Sequence, residues 1–254
     1  RVAGHAVLAI VLLSSIYPRL APPRRRAVVG WWSGKLLRIL NIRVRVEGLA
    51  PRAREHGAMI AANHVSWLDI FLVSSVRPTR FIAKSEIRDW GIVGWIAERT
   101  GTLFIRRDQL RDTARINALV HDALAGGDCV GLFPEGITTE GDMLHKFHTA
   151  LFEPAVANEA HVHPAAIRYE KPDGSLCREA SFRGERTFME SISLVIGERA
   201  MVARIAFAPV VETPGAHRRD VAREAQARIA SLLGLEATAG KAPGTGAGPR
   251  AASH

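Results

Sequence analysis

The chain has 254 residues, 47% of them hydrophobic and 23% charged, which is enough apolar side chain for one substantial core and rules out wholesale disorder. Its formal charge of +9 is local: residues 1–54 hold eleven Lys and Arg against the single acid Glu47, and the remainder is close to neutral. A nucleic-acid binder would spread its cations over the folded face, so nucleic acid is not an expected partner; a basic terminus interleaved with Trp points to an anionic membrane surface. Two cysteines, Cys129 and Cys177, are too few for a disulfide framework or a thiolate metal site.

Residues 2–17 are apolar apart from His5, Ser14 and Ser15, but fall short of the roughly 20 residues that span a bilayer core. Tyr17, Pro18 and Arg19 follow where a cleaved leader would have small residues. Residues 27–42 have helical spacing, a Trp31 and Trp32 pair suited to the headgroup level, and Lys35 and Arg38 one turn apart for lipid phosphates. The expectation is two tilted helices in contact with membrane lipids. The inner membrane is the expected location, and positive charge on the flanks of these helices predicts that the body of the chain faces the cytoplasm.

The pattern then alternates. Strands are predicted at 58–62, 81–83, 102–105, 129–133, 162–167 and 202–210, and helical segments from Trp67, at 86–99, 108–125, 149–158 and 217–235. This predicts an α/β fold: a central, mostly parallel sheet flanked by helices, preceded by an N-terminal membrane-associated helical segment. The expected division is 1–43 for the anchoring helices, 44–235 for the α/β domain, and 236–254 for a Gly-, Ala- and Pro-rich disordered tail. His161 and His163 share a strand face and His145 and His148 lie one helical turn apart, but neither pair has an evident carboxylate or Cys beside it, so no metal site is expected.

In open α/β sheets ligands gather at the carboxyl ends of the strands, and three strand ends carry chemistry. The first is NHVSWLD at 63–69. Five residues apart, His64 and Asp69 cannot share a helical face, but they meet if His64 lies in the turn before a helix and Asp69 one turn inside it. Asp69 would then fix the imidazole tautomer and leave the other nitrogen as a general base. Ser66 with Asp69 also reads as a capping box, and both readings stand at this point. The second is GTLFIRR at 101–107, where Arg106 and Arg107 suit either solvent or an anion. The third is FPEGITT at 133–139, where Gly136 allows close backbone approach and Glu135 and Thr138 offer polar atoms.

Together these segments resemble the glycerolipid acyltransferase family. NHVSWLD resembles its N-H-x4-D block, GTLFIRR its Gly-x-x-Phe-Ile-x-Arg block, FPEGITT its Phe-Pro-Glu-Gly-Thr block, and His163-Pro164-Ala165-Ala166-Ile167 its last, Pro-containing strand. The resemblance implies an O-acyltransferase in which His64 is the base and Asp69 orients it. Arg107 would hold the acceptor's phosphate with Arg106 beside it, and Glu135, Gly136 and Thr138 would bind the polar head. Lys84 is a further binding candidate, and Pro164 supports the site or the acyl pocket. The implied acyl donor is acyl-CoA or acyl carrier protein, with no bound cofactor and no acyl-enzyme. The first expected acceptor is 1-acyl-glycerol-3-phosphate, giving phosphatidic acid. Ile137 stands where the family has Thr, and Thr138 where many phosphatidate-forming members have Arg, so a lyso-ornithine lipid is an alternative acceptor. A non-catalytic monotopic lipid-binding protein is the alternative of another class.

Overall fold

The computed structural model describes residues 1–52, 55–105, 110–184 and 186–235. Helices α1 (Val2–Val11) and α2 (Pro22–Ile39) come first. They are followed by β1 (Ile42–Glu47), β2 (Ala58–Ala62), α3 (Leu68–Val76), β3 (Arg80–Lys84), α4 (Ile92–Arg99), β4 (Leu103–Ile105) and α5 (Leu110–Ala125). The chain continues through β5 (Cys129–Leu132), α6 (Glu153–Ala157), β6 (His161–Glu170), α7 (Phe188–Gly197), β7 (Met201–Phe207) and α8 (Arg218–Leu233).

Among the described residues seven strands form one sheet, in the order β1-β7-β6-β2-β5-β3-β4. Only the β6–β7 pair is antiparallel, so β6, β2, β5, β3 and β4 run the same way and their carboxyl ends share one edge. β2 and β5 are buried along their whole length, as strands covered on both faces must be. Alternation splits β2 between two cores: Met59 and Ala61 pack with Val120, Leu124, Ala222 and Ile229, whereas Ala58, Ile60 and Ala62 pack with Leu37, Leu68, Leu72 and Tyr169.

Several expectations are refined. The predicted helix at 86–99 is broken by Gly91, whose φ of 56° ends a 3-10 turn over Ser85–Asp89 before α4 begins. His145 and His148 lie in irregular backbone and not on a helix. β1 and α7 are absent from the sequence expectations, although the Ile-Arg-Val-Arg-Val-Glu alternation of β1 carries a strand's period of two. The expected tail at 236–254 lies outside the described residues.

The N-terminal pair is held by a reciprocal contact. The His5 imidazole donates from Nε2 to the Trp32 carbonyl (3.1 Å), the Trp32 indole donates to the His5 carbonyl (3.4 Å), and the rings stack at 4.6 Å. Trp32 also meets Phe71 of α3 at 5.7 Å, so it packs inward; Trp31 alone of the pair is strongly exposed, with the Lys35 ammonium over its ring. Of the three consecutive arginines, Arg25 donates to the Leu20 and Pro18 carbonyls and Arg26 pairs with Asp128. These two fasten the α1–α2 turn and α2 itself, which narrows the purely lipid-directed role expected of the basic run.

One glycine shapes the sheet beneath the site. A Cβ on Gly131 of β5 would lie 2.5 Å from a ring carbon of Phe81 and 2.7 Å from the Thr79 methyl. Gly131→Ala should therefore cost roughly 1–3 kcal/mol by displacing the Phe81 ring; equilibrium urea unfolding of the detergent-solubilised protein measures this, and unchanged stability would contradict the packing.

Candidate active site

The site starts where the backbone ladder of β2 ends. The last pair of that ladder is Ala62 with Ala165 of β6, and beyond it the fully buried Asn63 side chain takes over. Its amide donates to the Ile167 carbonyl (3.0 Å) and its oxygen accepts from the Ile167 N–H (2.7 Å). This side-chain rung lets the main chain leave the sheet at His64 without orphaning the β6 backbone.

His64 lies in the turn before α3, and Asp69 lies in that helix's first turn. Their Nδ1 and Oδ2 atoms are 2.7 Å apart. The same Oδ2 accepts from the Val65 N–H (2.7 Å) and the Ser66 N–H (2.9 Å), while Oδ1 accepts from the Tyr169 hydroxyl (2.8 Å). Asp69 is 0% exposed, and this set of donors offsets the cost of burying its carboxylate. An ionised carboxylate only accepts, so His64 donates from Nδ1 and its Nε2 keeps the lone pair. Nε2 has no partner among the described residues, and 21% of the side chain is open to solvent. The two readings of the segment merge here. Asp69 makes the return half of a capping box to the Ser66 N–H, yet the Ser66 hydroxyl is buried without a partner among the described residues.

The far face of the imidazole is packed. Phe133 stacks on it at 4.0 Å with the planes 7° apart, and Phe81, seated over Gly131, stacks on Phe133 at 5.6 Å. The loop after β5 fixes the main chain of His64. Glu135 accepts the His64 N–H on Oε1 (3.0 Å) and the His145 N–H on Oε2 (2.7 Å). Thr139 donates its N–H to the His64 carbonyl (2.8 Å), and Phe182 donates its own to the Val65 carbonyl (2.9 Å).

This changes the reading of several residues. Glu135 was expected at the acceptor's polar head, but it is 4% exposed with both oxygens engaged by backbone amides, so it positions His64. Burial pushes its carboxyl up to about 7 against the pull of those two amides. Thr138 was expected to meet ligand; its hydroxyl donates to the Phe182 carbonyl instead. Gly136 has φ of 73° and closes the turn through its N–H to the Phe133 carbonyl (3.0 Å). Pro164 is buried in β6 opposite Ala61, and its carbonyl accepts from the Ala208 N–H (2.9 Å). Lacking an N–H of its own, it breaks the β6–β7 ladder just below the site. Lys84 is the last residue of β3, at the same sheet edge as His64. Arg106 and Arg107 lie outside the described residues, directly after β4. Tyr169 is the residue that the sequence reading omits. A Tyr in an apolar strand carries no mark that its hydroxyl serves a carboxylate one hundred positions away.

A family profile described as Acyltransferase matches residues 43–168, a span holding the His64 turn, Asp69 and the loop after β5. The chain is 38% identical over 212 residues to the lyso-ornithine lipid O-acyltransferase of Pseudomonas aeruginosa, an alignment covering 83% of this chain and 80% of that protein. The chain belongs to the acyltransferase family. A second relative, the 1-acyl-sn-glycerol-3-phosphate acyltransferase of Neisseria gonorrhoeae, is 41% identical over 159 residues, covering 63% of this chain and 62% of that protein. The fold is similar to that of the 1-acyl-sn-glycerophosphate acyltransferase of Thermotoga maritima, with a TM-score of 0.63 at 19% identity over 90% of this chain and 92% of that one.

In this acyltransferase neither thiol is a ready nucleophile: Cys129 and Cys177 are buried, and burial pushes both up to about 11. Two outcomes test the positioning network. Tyr169→Phe removes one donor to buried Asp69 and should lower stability by roughly 1.5–3 kcal/mol. It should also lower kcat more than it raises KM; a pure KM effect would exclude a role in holding the imidazole. Glu135 is raised in the fold, so its contribution is fully present below its ordinary value of 4.5 and is lost as pH rises towards about 7. Wild type should accordingly lose up to about 3 kcal/mol relative to Glu135→Gln between those pH values, read by paired urea titrations. A flat difference would remove the buried-acid account.

Proposed function

We propose that this acyltransferase O-acylates a membrane lysolipid, with His64 as general base and Asp69 as its orienting carboxylate. The observation that carries the reading is the 2.7 Å bond from His64 Nδ1 to a carboxylate buried among four donors, which leaves Nε2 open. Nε2 takes the acceptor hydroxyl's proton, the oxygen attacks the thioester carbonyl of acyl-CoA or acyl carrier protein, and the thiolate leaves. Inert, buried thiols support direct transfer without an acyl-enzyme. The basic residues Lys84, Arg106 and Arg107, at or after the ends of β3 and β4, remain our candidates for the anionic group of the substrate, with no bound cofactor required.

For the acceptor we place a lyso-ornithine lipid ahead of 1-acyl-glycerol-3-phosphate. The Pseudomonas relative aligns over 80% of its length and the Neisseria relative over 62%, and Thr138, where many phosphatidate-forming members have Arg, has its hydroxyl tied to the Phe182 carbonyl.

Membrane association is supported by the apolar helical segment Val2–Arg19 and by exposed apolar side chains that continue from it. Val7, Ile10, Val11 and Ile16 are exposed on this segment, and Ile92 on α4, which touches α1. Trp90, also exposed, lies 5.3 Å from Phe188 of α7, and that helix exposes Met189 and Ile196. Phe188 meets Trp67 at 5.4 Å, so this apolar surface leads to the start of the helix bearing Asp69, a path by which an acyl chain can reach His64. Docking at the inner membrane with the body on the cytoplasmic side fits the basic N-terminal segment.

Purified protein given both acyl donors and a panel of lysolipids tests this reading. His64→Ala should lower turnover by about 10²–10⁴-fold with the far-UV CD spectrum and vesicle binding unchanged. Retained turnover would remove His64 as the base, and acceptance of lysophosphatidate with refusal of lyso-ornithine lipid would reverse the order of acceptors.

A further inference from the structure

At the opposite end of β2 from His64, the amino end, a second polar cluster is formed by residues far apart in sequence. His161 and His163 are alternate residues of β6 and project to one face, in register with Ala58 and Ile60 of β2. Glu55, in the segment entering β2, places Oε1 3.0 Å from His161 Nδ1 and 2.8 Å from His163 Nε2. The three ligand atoms all lie within 4.8 Å of one another. His163 is 4% exposed, the Glu55 side chain 17% and the His161 side chain 47%, so the cluster is rooted in the sheet and open on one side. This supplies the carboxylate that the sequence did not reveal beside these histidines.

We propose that Glu55, His161 and His163 bind a zinc ion that staples the segment entering β2 to the start of β6. Two imidazoles and one carboxylate supply three of zinc's four tetrahedral positions, and a water on the exposed side would close the fourth. The remaining nitrogen of His161, Nε2, lies 3.3 Å from Glu212 Oε2, the outer carboxylate that orients a metal-bound imidazole and raises its basicity. With both rings neutral, Glu55 and Glu212 bring two negative charges, which a dication offsets. Bonds of about 2.0–2.1 Å place tetrahedral ligand atoms roughly 3.3 Å apart. The two contacts to Glu55 must therefore open by a few tenths of an ångström, and the two imidazole nitrogens, within 4.8 Å of one another, must settle at the same spacing, a movement open to the half-exposed His161 ring. The length of β2, roughly 13 Å, separates the cluster from the His64 turn, so the ion is a structural clamp and takes no part in acyl transfer.

The test uses the full chain in detergent, stripped with a chelator and titrated with Zn²⁺ by calorimetry and with Co²⁺ by visible absorption. The proposal predicts one saturable site, a Co²⁺ d–d spectrum of low coordination number, a zinc-dependent rise in Tm, and unchanged acyl transfer by the stripped protein. Glu55→Gln and His161→Ala, the latter at a half-exposed position with little packing to lose, should each weaken zinc by at least about tenfold with the CD spectrum retained. No saturable binding to the folded wild type would overturn the site and leave a hydrogen-bonded His–Glu–His cluster. Undiminished binding by the Glu55→Gln, His161→Ala double variant would assign the metal to other histidines and overturn it equally.

Discussion

A carboxylate that water does not reach organises this molecule. Asp69 is fully buried, and such a charge persists only where donors replace its hydration. Here the donors are the His64 ring, two successive backbone amides and the Tyr169 hydroxyl. They belong to three parts of the fold: the His64 turn, the start of α3, and the far half of β6. Meeting the electrostatic demand of one side chain thus fixes a turn, a helix start and a strand relative to one another. The tautomer of His64 is a by-product of that demand, since a saturated acceptor leaves Nδ1 no role except donation.

The sheet makes the arrangement possible through unequal strand lengths. β2 stops at Ala62 while β6 runs on to Glu170, so the main chain departs into the His64 turn beside a strand that still presents side chains. Asn63 closes the gap with two hydrogen bonds to Ile167, and Tyr169, two residues further on the same face, reaches Asp69. Underneath, Gly131 admits the Phe81 ring, which carries Phe133, which carries the imidazole. The His64 ring is therefore held by a hydrogen bond at one edge and by an aromatic stack on one face, with Nε2 left without a partner among the described residues.

The loop after β5 shows how a residue's type can point to chemistry that its surroundings redirect. A Glu and Thr pair beside a glycine suits a polar ligand, yet Glu135 spends both oxygens on the His64 and His145 amides, and the Thr138 hydroxyl bonds to the Phe182 carbonyl. The acid still bears on the His64–Asp69 pair, through the backbone of His64. Its raised carboxyl follows from the same burial that makes it an effective clamp. At the N-terminus Trp32 was similarly drawn inward by His5 and Phe71, and only Trp31 stayed outside.

By itself the sequence determined the fold class and most strands and helices, and it set His64 and Asp69 at a spacing that lets them meet. These rest on periodicity and on short-range spacing, which are properties of neighbouring residues. That spacing left the capping-box reading of Ser66 and Asp69 equally open, and the structure brought the His64 and Asp69 side chains into contact. Tertiary structure alone decided what lies beside them. Tyr169 and Asn63 act across one hundred or more positions, and Glu55 meets His161 and His163 because β2 and β6 are neighbours in the sheet although seven elements, α3 to α6, separate them in the chain. Local pattern reports which residues turn, stretch or coil; strand order and burial decide which polar atoms must then satisfy one another.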